Sequence, residues 1–154
     1  MPHLVILYTP NLDRETDMTA LCRSLADTML AVRDDDDKQV FPTGGTRVLA
    51  YPAAHYALAD GGAAGRAAGS HTGAASGDPG DYAFIYLNLR MGRGRSAAVH
   101  QRVGDALSAT AKAHFGELFA KRHIGITVQV DEGPEVFDSK HSNLHPLFNP
   151  APKA

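Results

Sequence analysis

The sequence predicts an α/β (α+β) fold in which two β-α-β units form one four-stranded sheet with two helices on one face. Three observations predict it: the β-branched apolar run Leu4-Val5-Ile6-Leu7, two stretches whose apolar residues recur at steps of three and four, and an extended segment on either side of each stretch. The pattern describes a single domain over 1–154, with a pseudo-repeat at about 2–58 and about 81–132, an inserted flexible loop at about 59–80 and a C-terminal tail at 133–154. At 154 residues and 44% hydrophobic, the chain suffices for one buried core.

The first strand covers 3–8 and stops at Thr9-Pro10; its continuous apolar run suits a strand buried on both faces. Met18, Leu21, Cys22, Leu25, Met29 and Val32 then mark one face of a helix, with Asp17 placed to cap its first turn. Cys22 falls among these apolar positions and reads as core rather than as a nucleophile. The block Asp34-Asp35-Asp36-Asp37-Lys38 repels itself and reads as a solvated loop without function, after which 47–51 forms the second strand.

Segment 59–80 is rich in Gly, Ala and Ser and has little apolar surface to offset the entropy of ordering it, so a mobile loop is expected. The β-α-β pattern then returns: a strand over 82–91, a helix over 97–121 carrying Val99, Val103, Leu107, Phe115 and Leu118, and a last strand in which Ile124, Ile126, Val128 and Val130 alternate with small or polar residues. Two helices on one face leave the other face bare, and the first strand is too apolar to face water there. Self-association is the expected cover.

Composition excludes several functions. Fifteen Lys and Arg against seventeen Asp and Glu give a net charge of -2, which removes the electrostatic reason for a broad nucleic-acid or membrane surface. One cysteine forms no internal disulfide, and neither a signal peptide nor a bilayer-spanning stretch is recognised, so a cytoplasmic protein is expected. His141 and His145 sit in a Pro- and Asn-containing tail that does not complete a four-ligand set, so no metal is expected.

Three residues carry candidate chemistry. Pro2 follows the initiator methionine, whose removal would expose a secondary amine; an α-amino group has a pKa near 8, and burial or neighbouring cations draw it towards working pH. Arg95 lies in the strand-to-helix turn Met91-Gly92-Arg93-Gly94-Arg95-Ser96, where Ser96 caps a helix, backbone amides are free and a guanidinium offers charge-assisted contacts to a carboxylate. The third glycine of a dinucleotide fingerprint is absent at Ala97. Arg47 follows Phe41-Pro42-Thr43-Gly44-Gly45 at the start of a strand, where a loop brings a cation to the edge of a site. An ordinary turn and a surface arginine would read the same way in isolation.

Together these residues carry a resemblance. Pro2-His3, Phe41-Pro42, Arg47, Asp81-Tyr82-Ala83-Phe84, the turn from Gly92 through Ser96 and the ending Asn143-Leu144-His145-Pro146-Leu147-Phe148 resemble, in order, the 5-carboxymethyl-2-hydroxymuconate isomerase family of the tautomerase superfamily. The acidic block and the Gly/Ala-rich loop look like additions to the compact family pattern. The resemblance implies a homotrimer, Pro2 as proton shuttle, Arg47 and Arg95 as substrate-binding arginines, and no cofactor. It also implies a carboxylated dienol substrate, ketonised during bacterial homoprotocatechuate breakdown. Competing readings are another tautomerase-superfamily activity on an unsaturated or keto acid, and a noncatalytic oligomer that binds carboxylates through the two arginines.

Overall fold

The computed structural model describes residues 2–68, 81–134, 136–139, 141–142 and 144–148. Its framework is a four-stranded sheet of β1 (His3–Tyr8), β2 (Arg47–Pro52), β3 (Ala83–Gly92) and β4 (Ile124–Gly133), in the order β2-β1-β3-β4. β1 runs parallel to β2 and β3 parallel to β4, while β1 and β3 pair antiparallel at the centre. Each parallel pair is joined by one long helix, α1 (Met18–Ala31) in the first unit and α3 (Ala97–His114) in the second. The four-stranded sheet of two β-α-β units is the one expected from the apolar pattern; the antiparallel pairing of the two units at its centre, which makes the sheet mixed, is supplied by the structure.

The helices begin where side chains satisfy their orphan amides. The Asp17 carboxylate accepts from the Ala20 N–H at 2.9 Å and the Ser96 hydroxyl from that of Val99 at 3.3 Å. From those caps α1 buries Met18, Leu21, Leu25 and Met29, and α3 buries Val99, Val103, Leu107 and Ala111. Both stripes meet the alternating residues of one sheet face, Leu4 and Ile6 from β1 and Ile85, Leu87, Leu89 and Met91 from β3, all of them at most 1% exposed. Paired Thr28 and Thr110 hydroxyls, 2.7 Å apart, join the two helices above this core.

The opposite sheet face is open. It carries Leu7, Leu49 and Tyr51 at 47%, 43% and 50% exposure on β1 and β2. On β3 and β4 it carries a polar ladder, in which Tyr86 donates to Gln129 at 2.9 Å and Asn88 to Asp131 at 2.7 Å. The polar half of the face is self-satisfied and the apolar half is uncovered.

Three local expectations change, and a fourth gains detail. The helix expected over 97–121 ends at His114, because Phe115 leaves the helical conformation (φ -96°, ψ 5°) as its ring enters the core; a separate turn, α4 (Gly116–Phe119), follows. Cys22 is only partly buried, packed against the core, and desolvation pushes its thiol pKa up, which favours the protonated thiol. The acidic block is a solvated loop as expected, but an ordered one: the Asp34 carboxylate accepts from the Asp36 and Lys38 N–H groups at 3.0 and 2.9 Å, and Asp35 pairs with Arg102 of α3 at 3.0 Å. Within the segment read as an insert, α2 (Ala63–Ala68) forms because Asp60 accepts from the Gly62 and Ala64 N–H groups, and the Tyr82 hydroxyl accepts from that of Gly65. Residues 69–80 of that segment lie outside the described residues.

A last short helix, α5 (His145–Phe148), packs near Thr43–Gly45. Among the described residues, no helix is long and apolar enough to cross a membrane.

Candidate active site

Strand polarity assembles the candidate site. Because β1 and β2 start where β3 and β4 finish, one end of the sheet collects the residue before β1, the first residue of β2 and the turn after β3. Those positions hold Pro2, Arg47 and Arg95. His3 pairs in register with Arg47 on one side and with Arg90 on the other, and Pro2, itself buried, precedes it. The three residues singled out from the sequence thus share one sheet end.

Arg95 is anchored from both halves of the chain. Its Nη1 donates to the Gly92 carbonyl at 3.0 Å and its Nη2 to the Val40 carbonyl at 3.1 Å, while the guanidinium lies 5.8 Å from the centre of the Phe41 ring. Gly92 belongs to the second β-α-β unit, and Val40 and Phe41 to the connection in the first. The turn that presents Arg95 depends on Gly94, whose φ of +97° is left-handed and whose N–H donates to the Glu132 carboxylate at 3.2 Å. A guanidinium has five donor hydrogens, so those not held by the two carbonyls remain for an anion.

Arg47 is half-buried and donates from Nη1 to the Gly44 carbonyl at 3.3 Å, which tethers it to the loop behind it. Among the described residues neither Arg47 nor Arg95 forms an ion pair with a carboxylate. Two positive charges are therefore held by neutral carbonyls alone, an arrangement that suits an incoming acid. His3 responds to the same field: desolvation first, then the amino-terminal charge and Arg47, lower its pKa, against an opposing pull from Asp138. It favours the neutral imidazole.

Arg90 escaped the sequence reading. Strand alternation alone put it on one of the two faces of its strand, but only the antiparallel register makes it the neighbour of His3. The other polar concentration, Arg122 with Glu15 and Asp81, is at the opposite sheet end and is structural: the Arg122 side chain is 2% exposed and also donates to the Asp81 carbonyl at 2.8 Å. A cavity of about 540 Å³ lies at that same far end, lined by Leu58, Tyr82, Phe84, Phe119, His123 and Gly125. Its walls are mostly apolar, and it is separated from Pro2 by the length of β1.

Known proteins resemble this chain over nearly its whole length. The family model described as 5-carboxymethyl-2-hydroxymuconate isomerase matches residues 2–148. A 5-carboxymethyl-2-hydroxymuconate Delta-isomerase from Escherichia coli is 26% identical over 148 residues, which span 96% of this chain and 99% of that one. Among solved structures, a 5-carboxymethyl-2-hydroxymuconate delta-isomerase is 59% identical with a TM-score of 0.90, covering 99% of this chain and 96% of its own. A 5-carboxymethyl-2-hydroxymuconate isomerase from Deinococcus radiodurans R1 is 34% identical with a TM-score of 0.74, covering 96% and 93%.

Proposed function

The chain belongs to the 5-carboxymethyl-2-hydroxymuconate isomerase family, and from that premise we propose that it converts 5-carboxymethyl-2-hydroxymuconate, or a similar carboxylated dienol, to its 2-oxo tautomer with Pro2 as acid/base. The observation that carries the reading is the convergence of Pro2, Arg47 and Arg95 at one end of the sheet, with both arginines hydrogen-bonded to backbone carbonyls and neither paired with a carboxylate among the described residues.

The chemistry needs little else. Once Met1 is removed, the ring nitrogen of Pro2 is a free secondary amine, buried at the head of β1. Burial and the nearby guanidinium groups disfavour its protonated form, so it is available as a base near neutral pH. The hydroxyl O–H of the dienol breaks to give the carbonyl, the conjugated chain shifts its double bonds, and a C–H bond forms at the far end of the diene. The nitrogen accepts the first proton and delivers one to that carbon. Arg47 and Arg95 bind carboxylates and align the chain across the nitrogen, which makes both transfers short. No cofactor enters the scheme.

The uncovered apolar half of the sheet supports self-association, and we assign the functional unit as a homotrimer acting in the cytoplasm in aromatic catabolism. The test follows loss of dienol absorbance with the terminus of every sample verified by mass spectrometry. Wild type with Pro2 exposed turns over, Pro2→Ala loses roughly 100-fold or more, as expected for removal of a positioned acid/base, and protein with a blocked terminus is inactive. Undiminished isomerisation by terminally blocked protein would refute the role given to Pro2.

A further inference from the structure

Residues 84, 86, 88 and 90 of β3 point to the open sheet face, where Arg90 is flanked by His3 on β1 and Asp131 on β4. Two residues further along β4 on that face stands Gly133, opposite Gly92 of β3, so the last pair of positions carries no side chain. A Cβ at position 133 would lie 2.7 Å from Arg90 Nε, 3.2 Å from Nη2 and 3.4 Å from Cζ. The Arg90 side chain therefore leans over Gly133, carrying its guanidinium past the level of His3 towards the sheet end where Pro2 leads into β1. Gly133 has no left-handed φ. Its requirement is for space.

This cation acts on Asp131 through its charge, helping the Asn88 and Gln129 hydrogen bonds to lower that carboxyl's pKa, but it is not bonded to it. Asp131, its cross-strand neighbour, already accepts from Asn88 at 2.7 Å and from Gln129 at 2.8 Å, and among the described residues Arg90 forms no ion pair. With Arg47 and His3 it completes a row of basic side chains across three strands. The proposed substrate supplies a matching count: a muconate carries two carboxylates and its carboxymethyl arm a third, against two arginines assigned so far.

We propose that Arg90, lodged in the bay left by Gly92 and Gly133, binds the third carboxylate and gives the enzyme its preference for a tri-acid over a di-acid. The assignment rests on the isomerase reading above and adds the residue that selects among its substrates. Specificity for an extra carboxylate needs a dedicated partner, since a buried or bridging charge without one is penalised.

The experiment compares kcat/KM for 5-carboxymethyl-2-hydroxymuconate and for 2-hydroxymuconate, which lacks the carboxymethyl arm, in wild type, Arg90→Ala, Arg90→Lys and Gly133→Ala. In Arg90→Ala the tri-acid to di-acid ratio falls about tenfold, the scale of one lost hydrogen bond to a charged group, and the loss is carried by KM for the tri-acid; Arg90→Lys recovers part of it. Gly133→Ala displaces the far end of a flexible side chain, so it lowers the ratio with an unchanged melting temperature, and combining it with Arg90→Ala adds no further loss. Equal losses on both substrates, or an unchanged ratio, would overturn the assignment. Wild type that turns over neither substrate would overturn the isomerase reading instead. Arg90 is then judged by calorimetric titration of propane-1,2,3-tricarboxylate against pentanedioate, where equal affinities in wild type and Arg90→Ala overturn its role.

Discussion

Replacing Arg95 by alanine separates what that side chain does for the fold from what it does for substrate. In the folded chain it makes two charge-assisted hydrogen bonds, to the Gly92 and Val40 carbonyls, and lies over Phe41. At a half-buried position each hydrogen bond is worth about 1 kcal/mol, at the low end for a charged donor, and the ring contact contributes about 0.5 kcal/mol. Losing all three costs about 2 to 3 kcal/mol, which for a domain of this size lowers Tm by roughly 5–10 °C. The remaining donors face substrate in the proposed mechanism, and removing them lowers kcat/KM by a further 10- to 100-fold at a temperature where the variant is fully folded. Arg95→Lys retains a charge but only a single point of contact, so it sits between wild type and alanine on both scales. Differential scanning calorimetry at fixed protein concentration gives the first quantity and the dienol assay the second. An Arg95→Ala variant with wild-type Tm would refute the anchoring account, and one with wild-type kcat/KM would refute the binding role.

At the far end of the sheet, Arg122→Ala leaves the buried Glu15 carboxylate without its cation and is expected to destabilise by about 3–5 kcal/mol, read from urea midpoints; Arg122→Met combined with Glu15→Met recovers much of the loss, because no buried charge is stranded. Stability also responds to pH through His114, whose pKa burial lowers against a smaller upward pull from Asp17. Above about pH 6.5 the imidazole is neutral in folded and unfolded chains alike; as pH falls below that value the unfolded chain takes up a proton that the folded one resists, so stability is lost. His114→Gln should flatten the decline in urea midpoint between about pH 6.5 and 5, the window just below that unfolded value. Finally, the proposed trimer is expected to sediment as such and Leu49→Glu on the open face to give a folded monomer, and a wild-type monomer at micromolar concentration would refute the interface.

The local chemistry of the chain was legible from the residues alone wherever it depended on neighbours in sequence. Asp17 and Ser96 cap their helices because the cap is a contact across three residues, and the alternation of Ile124, Ile126, Val128 and Val130 defines the apolar face of β4 because strand geometry repeats every two. Phe115 marks the limit of such reasoning: its spacing continues the helical pattern, but its burial in the core ends the helix, and burial is settled by what surrounds it. Pro2, Arg47 and Arg95 were identifiable as chemically capable residues, yet their meeting at one sheet end follows from the antiparallel pairing of β1 with β3, a contact between segments about eighty residues apart. Arg90 and Gly133 were invisible for the same reason. Sequence determines which face a side chain takes within its own strand or helix, since that is a matter of backbone period; only the tertiary structure decides register between strands, and with it which cation stands beside which glycine and which histidine.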